Sequence, residues 1–289
     1  FDRAAHATVP DLLHLNYQAA LHSRWTSDYI RTFKQVHRAP VLVTYHDTGV
    51  PNSDQCKAIV DAADVTIIHE PCDDLPAEKT RYWRMGVPAA PINPLRLHVS
   101  RANNSLDRHR WIGVRSYPDQ PVLGTVGFPF PWKNYDRLAE LTAEIGWALL
   151  LIAPRATPEQ IDRWTRLNPD CLVYDTFLHA HRVTRLLHAC DATAFLFTCA
   201  YTGQSASLLQ GVAARKPVLA FSSCRQMRAL YLDPLGRESI RWCTAFGEVE
   251  QTLRHLPIQR VDPATVALAE QDSWVGLGKK YADLLRSLL

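Results

Sequence analysis

A chain of 289 residues is long enough for about two domains of ordinary size. Hydrophobic residues make up 47% of it, which excludes intrinsic disorder and allows a sizeable core. A formal net charge of +3 is too small to argue for a nucleic-acid partner, and no apolar run reaches the roughly eighteen residues of a membrane span. The first residue is Phe and no signal peptide is visible, so a processed, trimmed or partial product is expected. Seven cysteines are scattered without a C-x-x-C pair, which argues against a zinc ribbon or a redox motif. Most lie in or beside apolar runs as small core residues, and a reducing, cytoplasmic setting is expected.

Taken in order, Asp11 to Tyr17 reads as a strand, and Ser23 or Ser27 as the cap of a helix running to His37. Val41 to Tyr45 is a β-branched strand that ends at His46 and Asp47; a helix around Gln55 to Ala63 leads to a third strand, Val65 to Ile68, ending at His69 and Glu70. Ala77 to Met85 reads as a helix stopped by Gly86. Strands alternating with helices at this spacing predict a parallel, doubly wound sheet, whose ligands bind outside the strand carboxyl ends. Pro88 to Tyr117 has three prolines, several arginines and no period, and reads as a linker. Its basic residues (Arg96, Arg101, Arg108, Arg110, Arg115) read as a solvated face, with an anionic ligand as the alternative.

A second series begins at Pro121. Val122 to Val126 is a strand, Gly127 to Asn134 a loop, and a helix follows to Gly146. Trp147 to Ala153 is a strand, Thr157 caps a helix with Pro158 at its first position, Leu172 to Tyr174 is a strand and His179 to Cys190 a helix. The apolar run from Ala192 is a buried parallel strand. Tyr201 to Ser207 is a small polar turn opening a helix with Leu208, Leu209, Val212 and Ala213 at helical spacing, and Val218 to Phe221 is the next strand. The N–H groups and dipole at that helix start favour a phosphate, while Ser205 alone reads equally as an ordinary cap. Helices are expected at Met227 to Tyr231, Phe246 to Leu256 and from Pro263 on, with a short strand near Trp242.

Order and spacing of these motifs resemble the nucleotide-sugar glycosyltransferases of the large retaining family four. Pro10-Asp11-Leu12-Leu13-His14, Val43-Thr44-Tyr45-His46-Asp47 and Ala62-Ala63-Asp64-Val65 resemble three motifs of its first domain. Gly127 with Lys133, Ala189-Cys190-Asp191 and Ala214-Arg215-Lys216-Pro217-Val218 resemble three of its donor-binding domain. The resemblance covers most of residues 9 to 223 and implies a GT-B-like α/β fold, two Rossmann-like doubly wound parallel sheets facing a cleft. The implied domains are 1–117 on the acceptor side, 118–265 on the donor side and a helical tail, 266–289.

The family's arginine after the glycine is Phe128 here, and its paired glutamates fall at Thr202 and Gln210. The glycine-rich first strand is absent, so the N-terminal domain is expected to be shortened. A Ser/Gly-rich turn, as in some relatives, stands in for the acidic pair. By this resemblance Gly127, Lys133, Gly203, Gln204, Ser205, Ser207 and Gln210 bind the donor, and His46 and Asp47 are catalytic. A diphosphate leaving group needs its developing charge stabilised, which a lysine and preorganised N–H and O–H donors supply. A retaining enzyme would use His46 on the sugar; an inverting one would use Asp47 or Glu70 as general base. The implied partners are a nucleotide-sugar donor, an unidentified acceptor and at most a peripheral membrane contact. Neither metal nor cofactor is expected, the nucleotide-diphosphate sugar being a substrate. A non-catalytic sugar-nucleotide-binding subunit and a GT-B-like epimerase are the alternatives.

Overall fold

The computed structural model describes residues 10–17, 26–46, 54–69, 75–88, 120–198, 204–258 and 261–289. It divides into two compact units. One comprises Phe1–Met85, Tyr201–Gln204 and Val275–Leu289, the other Gly86–Ala200 and Ser205–Trp274.

In the first unit, short β-branched and aromatic runs form strands β1 (Leu13–Tyr17), β2 (Val41–Tyr45), β3 (Val65–Ile68) and β4 (Thr80–Tyr82). They pair in parallel in the order β1-β2-β3-β4. Helices α1 (Thr26–His37) and α2 (Asp54–Ala62) bury Ile30, Cys56, Ile59 and Val60 against Val41, Val43 and Tyr45 on one face. Alternation along β2 and β3 turns Leu42, Val65 and Ile67 to the opposite face, where Trp83 and the C-terminal helix cover them through Tyr281, Leu284, Leu285 and Leu288. Two expectations fail here. Residues 80–82 form a strand and not the middle of a helix, because Thr80 to Tyr82 pair with Thr66 to Ile68 and complete a parallel ladder. Ser27 lies inside α1, not at its cap; Ser23 lies outside the described residues. So does almost all of the expected linker.

The second unit runs β5 (Val122–Val126), a 3-10 turn (Pro131–Lys133), α3 (Tyr135–Glu144), β6 (Ala148–Ile152), α4 (Pro158–Leu167), β7 (Cys171–Tyr174) and α5 (Ala180–His188). It continues with β8 (Ala192–Phe195), α6 (Ala206–Ala213), β9 (Val218–Phe221), α7 (Arg228–Leu232), α8 (Pro234–Ser239), β10 (Ile240–Cys243), α9 (Phe246–Arg254) and α10 (Pro263–Gln271). Helix α11 (Trp274–Leu288) is the one that packs on the first unit's sheet. Thr157 caps α4 in a full capping box with Gln160, behind Pro158, as its residue types dictate. Helix α8 has no counterpart in the sequence reading; at six residues, with Gly236 inside, it shows no helical period.

All six strands are parallel, in the order β10-β9-β8-β5-β6-β7. Counted from β5 this is 3-2-1-4-5-6, so chain direction across the sheet reverses between β5 and β8. Helices α3, α4 and α9 supply Leu138, Leu141, Trp164, Val249 and Leu253 to the core on one face. On the other face α6 lies so close to β8 that a side chain at Gly211 would collide with the Phe195 ring. Five cysteines (56, 171, 190, 224, 243) are free thiols, and burial pushes the Cys171 thiol up. Among the described residues no helix is long and apolar enough to cross a membrane.

Candidate functional site

The reversal between β5 and β8 leaves the strand ends open to a ligand, and the second unit's site is built there. Gly127 follows β5 with φ of 146°, a backbone that side chains rarely adopt. Its N–H donates to the Ile152 carbonyl at 2.9 Å and its own carbonyl accepts from the Tyr135 hydroxyl at 3.0 Å, which holds the turn. Burial pushes the Tyr135 phenol up, so it stays a donor. Above the missing side chain three polar groups converge. Lys133 Nζ and Ser207 Oγ each lie 3.1 Å from where a Cβ would stand, and Tyr135 OH 3.2 Å.

Lys133 is carried on the 3-10 turn and is only 8% exposed; its ammonium sits over the Phe197 ring, 3.2 Å from the centroid. Asn134, in the left-handed conformation, closes that turn. Its Nδ2 donates to the Leu196 carbonyl at 2.6 Å, and the Thr198 N–H donates to the Trp132 carbonyl at 2.9 Å. The loop after β5 is thereby tied to the end of β8. Gln160 also holds it, donating from Nε2 to the Pro129 carbonyl at 3.2 Å. Lysine, glycine and serine thus stand together at the strand ends because backbone contacts leave the loop few alternatives.

The other residues read from the sequence have distinct placements. Ser205 caps α6, accepting from the Leu208 N–H at 3.3 Å, while Ser207 faces Gly127. Gln210 accepts from the Thr184 hydroxyl at 2.6 Å, bracing α6 against α5. Gln204 belongs to the first unit, where its Oε1 accepts from the Met85 N–H at 2.5 Å and its Nε2 is buried without a partner. Gly203 and Thr202 lie outside the described residues.

At the carboxyl edge of the first unit's sheet, His46 follows β2 and His69 follows β3, with ring centroids 5.1 Å apart. His46 Nε2 lies 3.3 Å from Asn16 Oδ1. His69 is 2% exposed, and its Nδ1 lies 2.7 Å from the Trp83 carbonyl, which can only accept. The proton of His69 is therefore on Nδ1. Burial holds it down at about 4 against a weaker raising effect of that carbonyl, with His46 adding repulsion. Burial and then His14 lower His46 likewise. His14 bonds Thr44 at 2.9 Å, and Thr44 bonds the Tyr281 hydroxyl at 2.8 Å. These imidazoles are neutral at pH 7 and serve as hydrogen-bonding groups. Asp47 and Glu70 lie outside the described residues.

Sequence reasoning missed Tyr135 and Asn134, whose roles depend on a tertiary approach that no spacing announces. It also passed over Arg155, although Ala153-Pro154-Arg155-Ala156 is a legible turn signal. Among the described residues no group of three or more His, Cys, Asp or Glu side chains is placed to hold a metal ion.

No protein-family model matches the sequence, and no curated protein matches it. Solved structures do resemble the fold. A glycosyltransferase from Rickettsia africae superposes with a TM-score of 0.67 at 12% identity, over 96% of this chain and 76% of that one. An α,α-trehalose-phosphate synthase (UDP-forming) from Burkholderia xenovorans gives 0.64 at 8% identity, over 97% of this chain and 74% of that one. TarM of S. aureus, solved with UDP, gives 0.58 at 12% identity, over 86% of this chain and 51% of that one. At such identities the likeness establishes the fold. It is GT-B, built from two parallel α/β units of Rossmann type.

Proposed function

We propose that this chain is a glycosyltransferase that takes its sugar from a nucleotide-diphosphate donor and passes it, with retention, to an acceptor hydroxyl. The observation that carries the reading is the convergence of Lys133 Nζ and Ser207 Oγ within 3.1 Å of one point above Gly127. That point lies at the switch of a 3-2-1-4-5-6 sheet, where such folds bind nucleotides. As the bond between sugar and diphosphate breaks, negative charge collects on the leaving phosphate. Lys133, the Ser207 hydroxyl and the N–H groups opening α6 meet that charge without reorganising. Ser205 serves by capping α6, and Gly203 and Gln204 are assigned to the donor by the family resemblance alone. His46, neutral at pH 7, accepts or donates a hydrogen bond to the sugar; Asp47 stands beside it in sequence. On this reading residues 118–265 form the donor-binding domain, residues 1–117 the acceptor side, and the enzyme works in the cytoplasm without a resident cofactor.

A second reading, a nucleotide-binding subunit without turnover, is favoured by two observations. Phe128 stands where the resembled family has an arginine, and Gln210 already gives its carbonyl oxygen to Thr184. One experiment separates them. Wild type and Lys133→Ala are titrated with UDP, GDP and ADP by calorimetry, then incubated with the corresponding sugar donors. Transfer predicts donor consumption by wild type and roughly a ten- to hundredfold loss of diphosphate affinity in the variant. Binding without consumption would favour the second reading. Unchanged affinity in Lys133→Ala would remove the lysine from the site.

A further inference from the structure

The loop after β6 carries a backbone that its residue type does not explain. Ala153 to Ala156 close a turn through the Ala156 N–H and the Ala153 carbonyl at 3.0 Å, with Pro154 second and Arg155 third at φ of 67°. That is a type II turn, and its third position calls for glycine or asparagine. Arginine at this exposed position is strained, and strain of this kind persists where something else gains from it. The Arg155 N–H also donates to the Asp175 carbonyl at 2.8 Å, which fixes the direction in which the side chain leaves.

The guanidinium lies over two aromatic faces, 6.0 Å from the Phe128 ring centroid and 5.5 Å from that of Phe177. Both rings are left at the surface, 38% and 63% exposed, and they meet edge to face at 5.6 Å. Stacking of this kind orients a guanidinium while leaving its N–H groups free to bind. Among the described residues no carboxylate forms an ion pair with it; the ring faces hold it. Phe128 is the residue after Gly127, so this platform follows directly in the chain on the turn over which Lys133 and Ser207 converge. A planar cation on a turn that disfavours it, held against the residue that follows Gly127, has the chemistry of bidentate phosphate recognition.

We infer that Arg155 is a second phosphate-binding cation of the donor site, delivered from the loop after β6 instead of from the residue following Gly127. This rests on the reading of that site as one for a nucleotide diphosphate. It also accounts for Phe128, whose ring supports the charge that an arginine at 128 would have carried itself.

The turn provides a clean test. Arg155→Gly and Arg155→Asn both suit the third position better than arginine, so each leaves the melting temperature unchanged or raised. Both are titrated by calorimetry with UDP, GDP and ADP and with the matching nucleosides, at two salt concentrations. The expected result is a loss of about tenfold or more for the diphosphate that wild type prefers, a shallower salt dependence, and unchanged nucleoside affinity. Arg155→Lys, which keeps the charge without the planar fork, falls between. Wild-type affinity in both Gly and Asn variants would overturn the inference and leave the donor site standing. Absence of binding of all three diphosphates by wild type would overturn both together.

Discussion

In both units an aspartate at the end of a helix reaches back to the first residue of the neighbouring strand. Asp64 accepts from the Val41 N–H at 2.8 Å and returns its own N–H to the Val41 carbonyl at 2.9 Å. Asp191 makes the same pair with Val122, at 2.8 and 2.9 Å. Their surroundings differ. Asp64 is about a third exposed and shares its carboxylate with Lys34 at 2.7 Å, whereas Asp191 is 7% exposed. The sheets differ more. The first adds strands in chain order, so among the described residues its direction never reverses; the second reverses between β5 and β8. The aspartate just before the strand is thus a fastening that any such layer can use. The proposed ligand site sits at the reversal, which among the described residues only the second sheet shows.

The comparison can be broken most sharply at Gly127. Gly127→Ala places a methyl group against Lys133 and Ser207 on a disfavoured backbone, with an expected loss of about 3 kcal/mol in diphosphate binding, a hundredfold or more. Calorimetry with the preferred nucleotide checks it, and near-wild-type affinity would sink the site.

Acid should separate the units next. His69 is held at about 4 against 6.5, so the unfolded chain binds the extra proton between those values. Stability from this group is complete above pH 6.5 and disappears as pH falls toward 4, about 3 kcal/mol in all. His46 and His14 act in the same direction, while His188 is the second unit's one buried imidazole with a lowered value among the described residues. Hydrogen exchange at pH 7 and pH 5 should show protection fading first in β1 to β4; a uniform loss would refute the ordering.

The aspartates give a graded pair. Asp191→Ala leaves a buried N–H without its partner and should cost about 2–3 kcal/mol, Asp64→Ala about 1 kcal/mol because water reaches that site. Denaturant melts of the two variants read the difference directly, and equal costs would mean that burial does not set it. An effect as small as that of Asp64→Ala is expected at Ser205, whose replacement by Ala removes the α6 cap for about 1 kcal/mol. Ser207→Ala should instead lower diphosphate affinity with little change in melting temperature.

What could be read from the sequence follows from how local each signal is. β2, β3, β5 and β9 were legible to the residue because each is a short apolar run bounded by turn residues. The capping box at Thr157 is likewise a purely local code. Strand β4 was not legible. Ala77, Glu78 and Lys79 favour helix, and three strand residues are too few to show a period of two, so the decision came from pairing with β3. Lys133 and Gly127 were singled out by the family resemblance, whereas their meeting with Ser207 is a tertiary fact. Gln210 shows the other side of this: its position in the sequence aligns it with an acidic residue, while its hydrogen bond from Thr184 on the preceding helix is again tertiary.

Helix α11 has a consequence for how the protein is made. The apolar face formed by Leu42, Val65 and Ile67 is closed by Tyr281, Leu284, Leu285 and Leu288. On a ribosome adding roughly 5–20 residues per second, residues 86–274 take on the order of ten to forty seconds to emerge. For that interval, among the described residues, only Trp83 is present to cover the sheet's other face, and the rest of that face can meet a chaperone or a neighbouring chain. The second unit has all its strands and covering helices before then. In translation order, the sheet that starts first is the one completed last.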